Sequence, residues 1–264
     1  MKRNQKSIGK KAHRPKMKLG LPDLVVPMES QHILAVNDVE EMKDFSIPSG
    51  ITEVKWVRAA DLLPETPTIV RDAIISVENG PTLALWQPGS DSLAAPSGAA
   101  FRIAPGAKLH LQIHYKKHYT QEQDTLSDRS RIGLYFTDPP ASGRELQSIS
   151  TSEKKGSVES DGIRILAATL PGAGRVHALR PMLDKAYGSV DIVAITPSGR
   201  QIPLLKLRGP RPQWFRRYWL QEAIELPGGS AIEARVTPLG DSSDEMKASI
   251  DRFPLQVAID YVPQ

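Results

Sequence analysis

The chain has 264 residues, 40% hydrophobic and 24% charged, with 19 glycines and 22 prolines but no cysteine. That is ordinary globular composition with many turn formers, and it excludes disulfides, thiolate metal sites and cysteine nucleophiles. Eight Lys and Arg lie in residues 1–18 beside no acid, so the net charge of +4 becomes −4 for residues 19–264; a mildly acidic body excludes a dedicated nucleic-acid binder, which needs a basic stripe on its folded part.

Taken in chain order, residues 1–18 (Lys2, Arg3, Lys6, Lys10, Lys11, Arg14, Lys16 and Lys18) predict a solvated, disordered basic tail. If the tail has a partner, charge makes that partner anionic. It lacks the apolar run of a secretory signal, and no stretch approaches the roughly 18 apolar residues of a membrane span. The product as written is therefore expected to stay where it is made. Beyond the tail, short apolar runs alternate with turn signals, and almost nothing reads at helical period. Strands are predicted at 22–27, 52–60, 68–77, 108–116 and 131–137, then at 162–168, 189–195, 201–207, 217–224, 230–237 and 255–262. Pro48-Ser49-Gly50, Asn79-Gly80-Pro81, Pro105-Gly106, Pro197-Ser198-Gly199 and Pro227-Gly228-Gly229 punctuate them. This spacing predicts an all-β sandwich architecture. The stretch 138–161 is polar and rich in Ser and Gly, the composition of a linker. The expected units are an N-terminal β-sandwich over 19–140, a flexible linker over 141–161 and a C-terminal β-sandwich over 162–264.

Common catalytic motifs are missing: there is no G-x-S-x-G, no Walker A sequence and no H-E-x-x-H. Gly172-Ala173-Gly174 follows a predicted strand, but His177 stands where a dinucleotide fingerprint needs its third glycine.

Four passages carry a more specific pattern. They are 18–25 (KLGLPDLV), 50–59 (GITEVKWVRA), 105–136 (PGAKLHLQIHYKKHYTQEQDTLSDRSRIGLYF), and 213–229 (QWFRRYWLQEAIELPGG) together with 242–246 (SSDEM). In this order the chain resembles the copper type II, ascorbate-dependent monooxygenases, the peptidylglycine alpha-hydroxylating and dopamine beta-monooxygenase group, and most of all their bacterial members. The most specific portion is the L-Q-x-H-Y strand followed by D-x-S-x-x-G-L-Y-F. The resemblance spans nearly all of 18–264. It implies two tandem jelly-roll β-sandwiches separated by a cleft, each holding one copper. It also implies a first copper bound by an adjacent His-His pair plus the histidine of L-Q-x-H-Y. The second would be bound by a His-x-His pair plus the methionine of D-E-M. Imidazole suits both copper states, and a thioether favours Cu(I).

Most of those implied ligands are replaced here. The His-His pair falls on Arg71-Asp72, while His114 keeps the third position. The His-x-His pair falls on Pro181 and Leu183, while Met246 keeps the thioether. An arginine is never a ligand at ordinary pH, and one neutral donor per site does not retain copper against water. His110 and His114 share a face but sit ~13 Å apart along one strand. A rebuilt site would need His177 with Met182 and Met246. The bland readings stand beside these: Met246 as packing, His114 as a hydrogen-bonded half-buried histidine, and Trp214, Tyr218 and Trp219 as core and pocket wall rather than a substrate platform. Arg208, Arg211, Arg216 and Arg217 read as a solvated basic face or as the seat of an anion. Asp241, Asp244 and Glu245 read as a surface turn, with Ca²⁺ unsupported by the spacing.

The leading expectation is thus a degenerate, non-catalytic binding or structural module with no cofactor. The alternative is an active copper- and ascorbate-dependent monooxygenase that hydroxylates a C–H bond through rebuilt sites. A third expectation is an interaction module whose tail docks to an anionic partner. Members of the resembled group act outside the cytoplasm, whereas this chain shows no export signal, so the localisation stays open.

Overall fold

The computed structural model describes residues 19–90, 93–153, 162–239 and 253–264. The first half contains β1 (Leu24–Pro27), β2 (His32–Leu34), β3 (Glu40–Pro48), β4 (Lys55–Leu63) and β5 (Val70–Val77). It continues with β6 (Thr82–Trp86), β7 (Phe101–Ile103), β8 (Lys108–Lys116), β9 (Leu126–Asp128) and β10 (Arg131–Thr137). The second half contains β11 (Gln147–Ser150), β12 (Ser152–Glu153), β13 (Arg164–Thr169), β14 (Gly174–Met182) and β15 (Tyr187–Ile195). β16 (Gln201–Arg208), β17 (Tyr218–Leu226), β18 (Ala231–Pro238) and β19 (Gln256–Pro263) complete it. Among the described residues the only helical pieces are two 3₁₀ turns, Tyr119–Gln121 and Pro212–Trp214.

Each half is a β-sandwich, and the two in tandem make the jelly-roll architecture expected from the sequence. In the first, the sheet ordered β1-β10-β4-β7 faces the sheet ordered β3-β8-β5-β6. β8 shows why the residues adopt this form. Its sequence alternates strictly, so Leu109, Leu111, Ile113 and Tyr115 are fully buried while His110, Gln112, His114 and Lys116 point outward. In the second half, the sheet β11-β19-β14-β17 faces β12-β13-β18-β15-β16 around Leu166, Val176, Leu179, Val190, Ile232 and Ile259.

The β11-β19-β14-β17 sheet is covered on both faces. Val257, Ile259 and Tyr261 of β19 belong to the second core, whereas Val262 belongs to the core of the first half, with Trp219 packed against it. The halves therefore share a buried seam. The segment 141–161 differs from a free tether where it is described. Leu146 sits in the first core and its amide bonds to the Ala100 carbonyl, β11 pairs with β19, and β12 pairs with β13. Ser and Gly content masked these short edge strands, because their burial comes from the sheets they join. The basic tail 1–18, residues 154–161 of the expected linker, the Asp241, Asp244 and Glu245 run, and Met246 lie outside the described residues.

Candidate functional site

The outer face of the β3-β8-β5-β6 sheet brings together the positions of the first implied copper site. β5 and β8 pair Asp72 directly opposite His114, with a bulge between Val70 and Asp72 that ejects Arg71 to the surface. His114 Nδ1 lies 3.1 Å from Asp72 Oδ2 and Nε2 lies 2.8 Å from Glu40 Oε1. Lys116 Nζ meets the other Glu40 oxygen at 2.8 Å. Both ring nitrogens are thus engaged by carboxylates, one from β5 and one from β3. The same face continues as a ladder: His110 Nε2 lies 2.9 Å from Asp44 Oδ1, and Gln112 Nε2 donates to that oxygen at 3.0 Å. These are cross-strand polar pairs of the kind that hold an edge strand such as β3 in register.

The most specific passage of the sequence pattern turns out to be scaffold. The Tyr115 hydroxyl donates to Asp128 Oδ2 at 3.1 Å, and the Ser130 hydroxyl donates to the same atom at 2.6 Å. The Thr66 amide donates to Asp128 Oδ1 at 2.9 Å. Asp128 is fully buried, so its charge is tolerated only because these donors surround it. Burial, then the neighbouring Asp128 charge, pushes the Tyr115 phenol far above its ordinary value. His32 stacks on the Tyr115 ring and pairs with Glu41.

In the second half the implied His-x-His positions, Pro181 and Leu183, line a small pocket of about 80 Å³ with Leu207, Phe215 and Tyr218. No imidazole reaches it in this register. His177 is the extra residue of a bulge between Val176 and Ala178, 4% exposed, and its Nδ1 has no hydrogen-bond partner among the described residues. Burial, helped by the nearby Arg175 charge, pulls its imidazole below the ordinary histidine range. Met182 lies five residues further along the same strand, ~16 Å away, with its sulfur 3.5 Å from Gln256 Nε2. Those two do not meet at one ion. Among the described residues no group of three or more His, Asp or Glu side chains is arranged to hold a metal.

The principal feature lies in the seam, where Arg217, expected on a solvated basic face or at the seat of an anion, is instead buried, and where the sequence reading had not singled out Asp260 or Arg180. Asp260 of β19 is completely buried and accepts from two arginines. Arg180 Nε donates to Oδ2 at 3.0 Å and its Nη2 to Oδ1 at 3.0 Å, while Arg217 Nε donates to Oδ2 at 2.8 Å. Arg217 then crosses to the first half, where its Nη1 donates to the Leu83 carbonyl at 2.8 Å and its Nη2 to the Thr82 carbonyl. Its guanidinium stacks between Phe101 and Trp219, 5.0 and 5.2 Å from the ring centroids. Burial disfavours the Asp260 charge, but Arg217 and Arg180 outweigh it and hold the carboxyl below its usual range. Burial likewise pulls the Arg217 guanidinium down to about 10, against the pull of Asp260. The single aspartate inside an otherwise apolar strand, and Arg180 amid the buried run of β14, were the signals that could have found this cluster.

Beside it the halves leave a cleft of about 600 Å³, walled by Leu83, Leu85 and Leu93 on one side and Phe215 and Trp219 on the other. Trp219 is thus a wall of both seam and cleft. Trp214 is largely exposed, and the Gln87 side chain donates to the Gln213 carbonyl across the gap.

No family model matches the chain, and no curated protein does. Among solved structures, it is similar to the major capsid protein P2 from Bacteriophage PM2, with TM-score 0.40 and 10% identity over 90% of this chain and 96% of that one. A Paenibacillus xanthan lyase gives TM-score 0.25 and 11% identity over 89% of this chain and 25% of the lyase. The CBM22-1-CBM22-2 tandem domain from Paenibacillus barcinonensis Xyn10C gives 0.21 and 9%, over 91% of this chain and 94% of that one. Likenesses this remote carry no argument.

Proposed function

We propose that this chain is a non-catalytic binding module built on the double-sandwich frame of the copper type II monooxygenases. The observation that carries the reading is His114, the one imidazole kept in register. Both of its nitrogens engage carboxylates, and its expected partners are an exposed arginine and a buried aspartate. At the second position a proline and a leucine line a small pocket in place of imidazoles. Such an arrangement, one histidine between two carboxylates and an apolar wall opposite, lacks the imidazole pairs of the implied sites, and among the described residues no three His, Asp or Glu side chains are grouped to hold an ion. What supports descent from the frame is the retention of its scaffold residues, Tyr115, Asp128 and Ser130, in a working hydrogen-bond cluster.

The test is metal loading. The full chain is incubated with Cu(I), freed of excess and assayed for bound copper and for ascorbate-dependent oxygen uptake. Far less than stoichiometric copper and no uptake are expected. Stoichiometric copper together with ascorbate-dependent uptake would overturn the reading in favour of an active monooxygenase.

A further inference from the structure

The cleft at the seam has a volume within the range of small-molecule sites. Its lining mixes apolar side chains, Leu83, Leu85, Leu93, Phe215 and Trp219, with the polar Gln87 and Ser90, and its charged lining residues are both arginines, Arg216 and Arg217. Arg216 lies exposed at the cleft and forms no ion pair among the described residues. Arg217 also lines the cleft, with Arg180 behind it, and these two guanidiniums share the single carboxylate of Asp260. Among the described residues the buried cluster therefore holds one cation in excess. In a poorly polarisable interior that excess favours a nearby anion. An anion with an apolar body would satisfy both the charge and the walls.

On the reading that the chain is a binding module, we propose that this cleft binds a small amphipathic carboxylate. Its carboxylate meets Arg216, within the field of Arg217, and its alkyl or aryl body lies against Leu85, Leu93 and Trp219.

Calorimetric titration of the copper-free full chain with octanoate and with octanol tests this assignment. Octanoate is expected to bind more tightly than octanol by about tenfold, the scale of one charge-assisted contact. Arg216→Gln should weaken octanoate by about tenfold and leave octanol unchanged. Leu93→Glu, an exposed position that leaves the core untouched, should weaken both. Octanoate that fails to bind at about 1 mM, or that binds Arg216→Gln as tightly as the native chain, overturns the assignment. Copper content measured on the same samples keeps the two questions apart, since copper uptake sinks the broader reading and absent octanoate binding sinks only the ligand.

Discussion

Two buried carboxylates are held in different ways: Asp128 by neutral donors, and Asp260 by two arginines. Replacing Asp260 by Asn leaves both guanidiniums buried without their counter-charge. Asp260→Asn should cost about 3–5 kcal/mol, read from the urea midpoint at neutral pH. The pH dependence has a definite sign. Because the folded carboxyl titrates below its unfolded value, its contribution is present above about pH 4 and is lost as pH falls through the folded value. The native chain should therefore lose stability below about pH 4 more steeply than Asp260→Asn. His177 acts at higher pH. Its folded imidazole titrates below the unfolded value, so stability is full above about pH 6.5 and declines as pH falls below it. His177→Gln should flatten that decline, and an unchanged slope of midpoint against pH would count against the assignment. At this scale legibility was uneven. The closeness of Asp72 to His114 followed from the pattern, because both occupy positions of one implied site. That Glu40 would take the other ring nitrogen did not follow, since Glu40 lies 74 residues away on an edge strand too charged to be recognised.

The eleven predicted segments each correspond to an observed strand, while β2, β3, β6, β7, β9, β11, β12 and β14 were not predicted, β3 and β14 being the longest of these. β3 (EEMKDFSIP) spends its outward positions on charges that meet β8, so its period is hidden by the polar partners it needs. β14 (GRVHALRPM) is buried on both faces, because one side packs in its own core and the other against the neighbouring half. Its bulge at His177 breaks what alternation remains. Bulges also explain a glycine. Gly188 sits at the irregularity between Tyr187 and Ser189, and a Cβ there would lie 2.7 Å from the Pro238 carbonyl oxygen. That neighbour is backbone and does not give way. Gly188→Ala should lower stability by about 1–3 kcal/mol, measured by chemical unfolding, whereas Gly199→Ala, with open space around it, tests only the strain of its positive φ.

Across the whole molecule, Arg217 joins what composition divides. The polar stretch 138–161 predicted a flexible linker between two sandwiches, and across that division a single side chain binds Asp260 in one half and two carbonyls in the other. The native chain should unfold in one transition seen alike by tryptophan fluorescence and far-ultraviolet dichroism. Arg217→Met should separate the two signals into distinct transitions. Coincident curves for that variant would show that apolar contact alone couples the halves. The same contact has a consequence for handling the protein. β6 is the last strand of its sheet, and the carbonyls at its start, with Leu83 and Phe101 beside them, are covered by the guanidinium from the other half. A first half expressed alone as residues 19–140 would present that strand as an open template to any neighbouring chain. Its failure in solution would then be one of self-association, growing with concentration, rather than a failure to form its own sandwich.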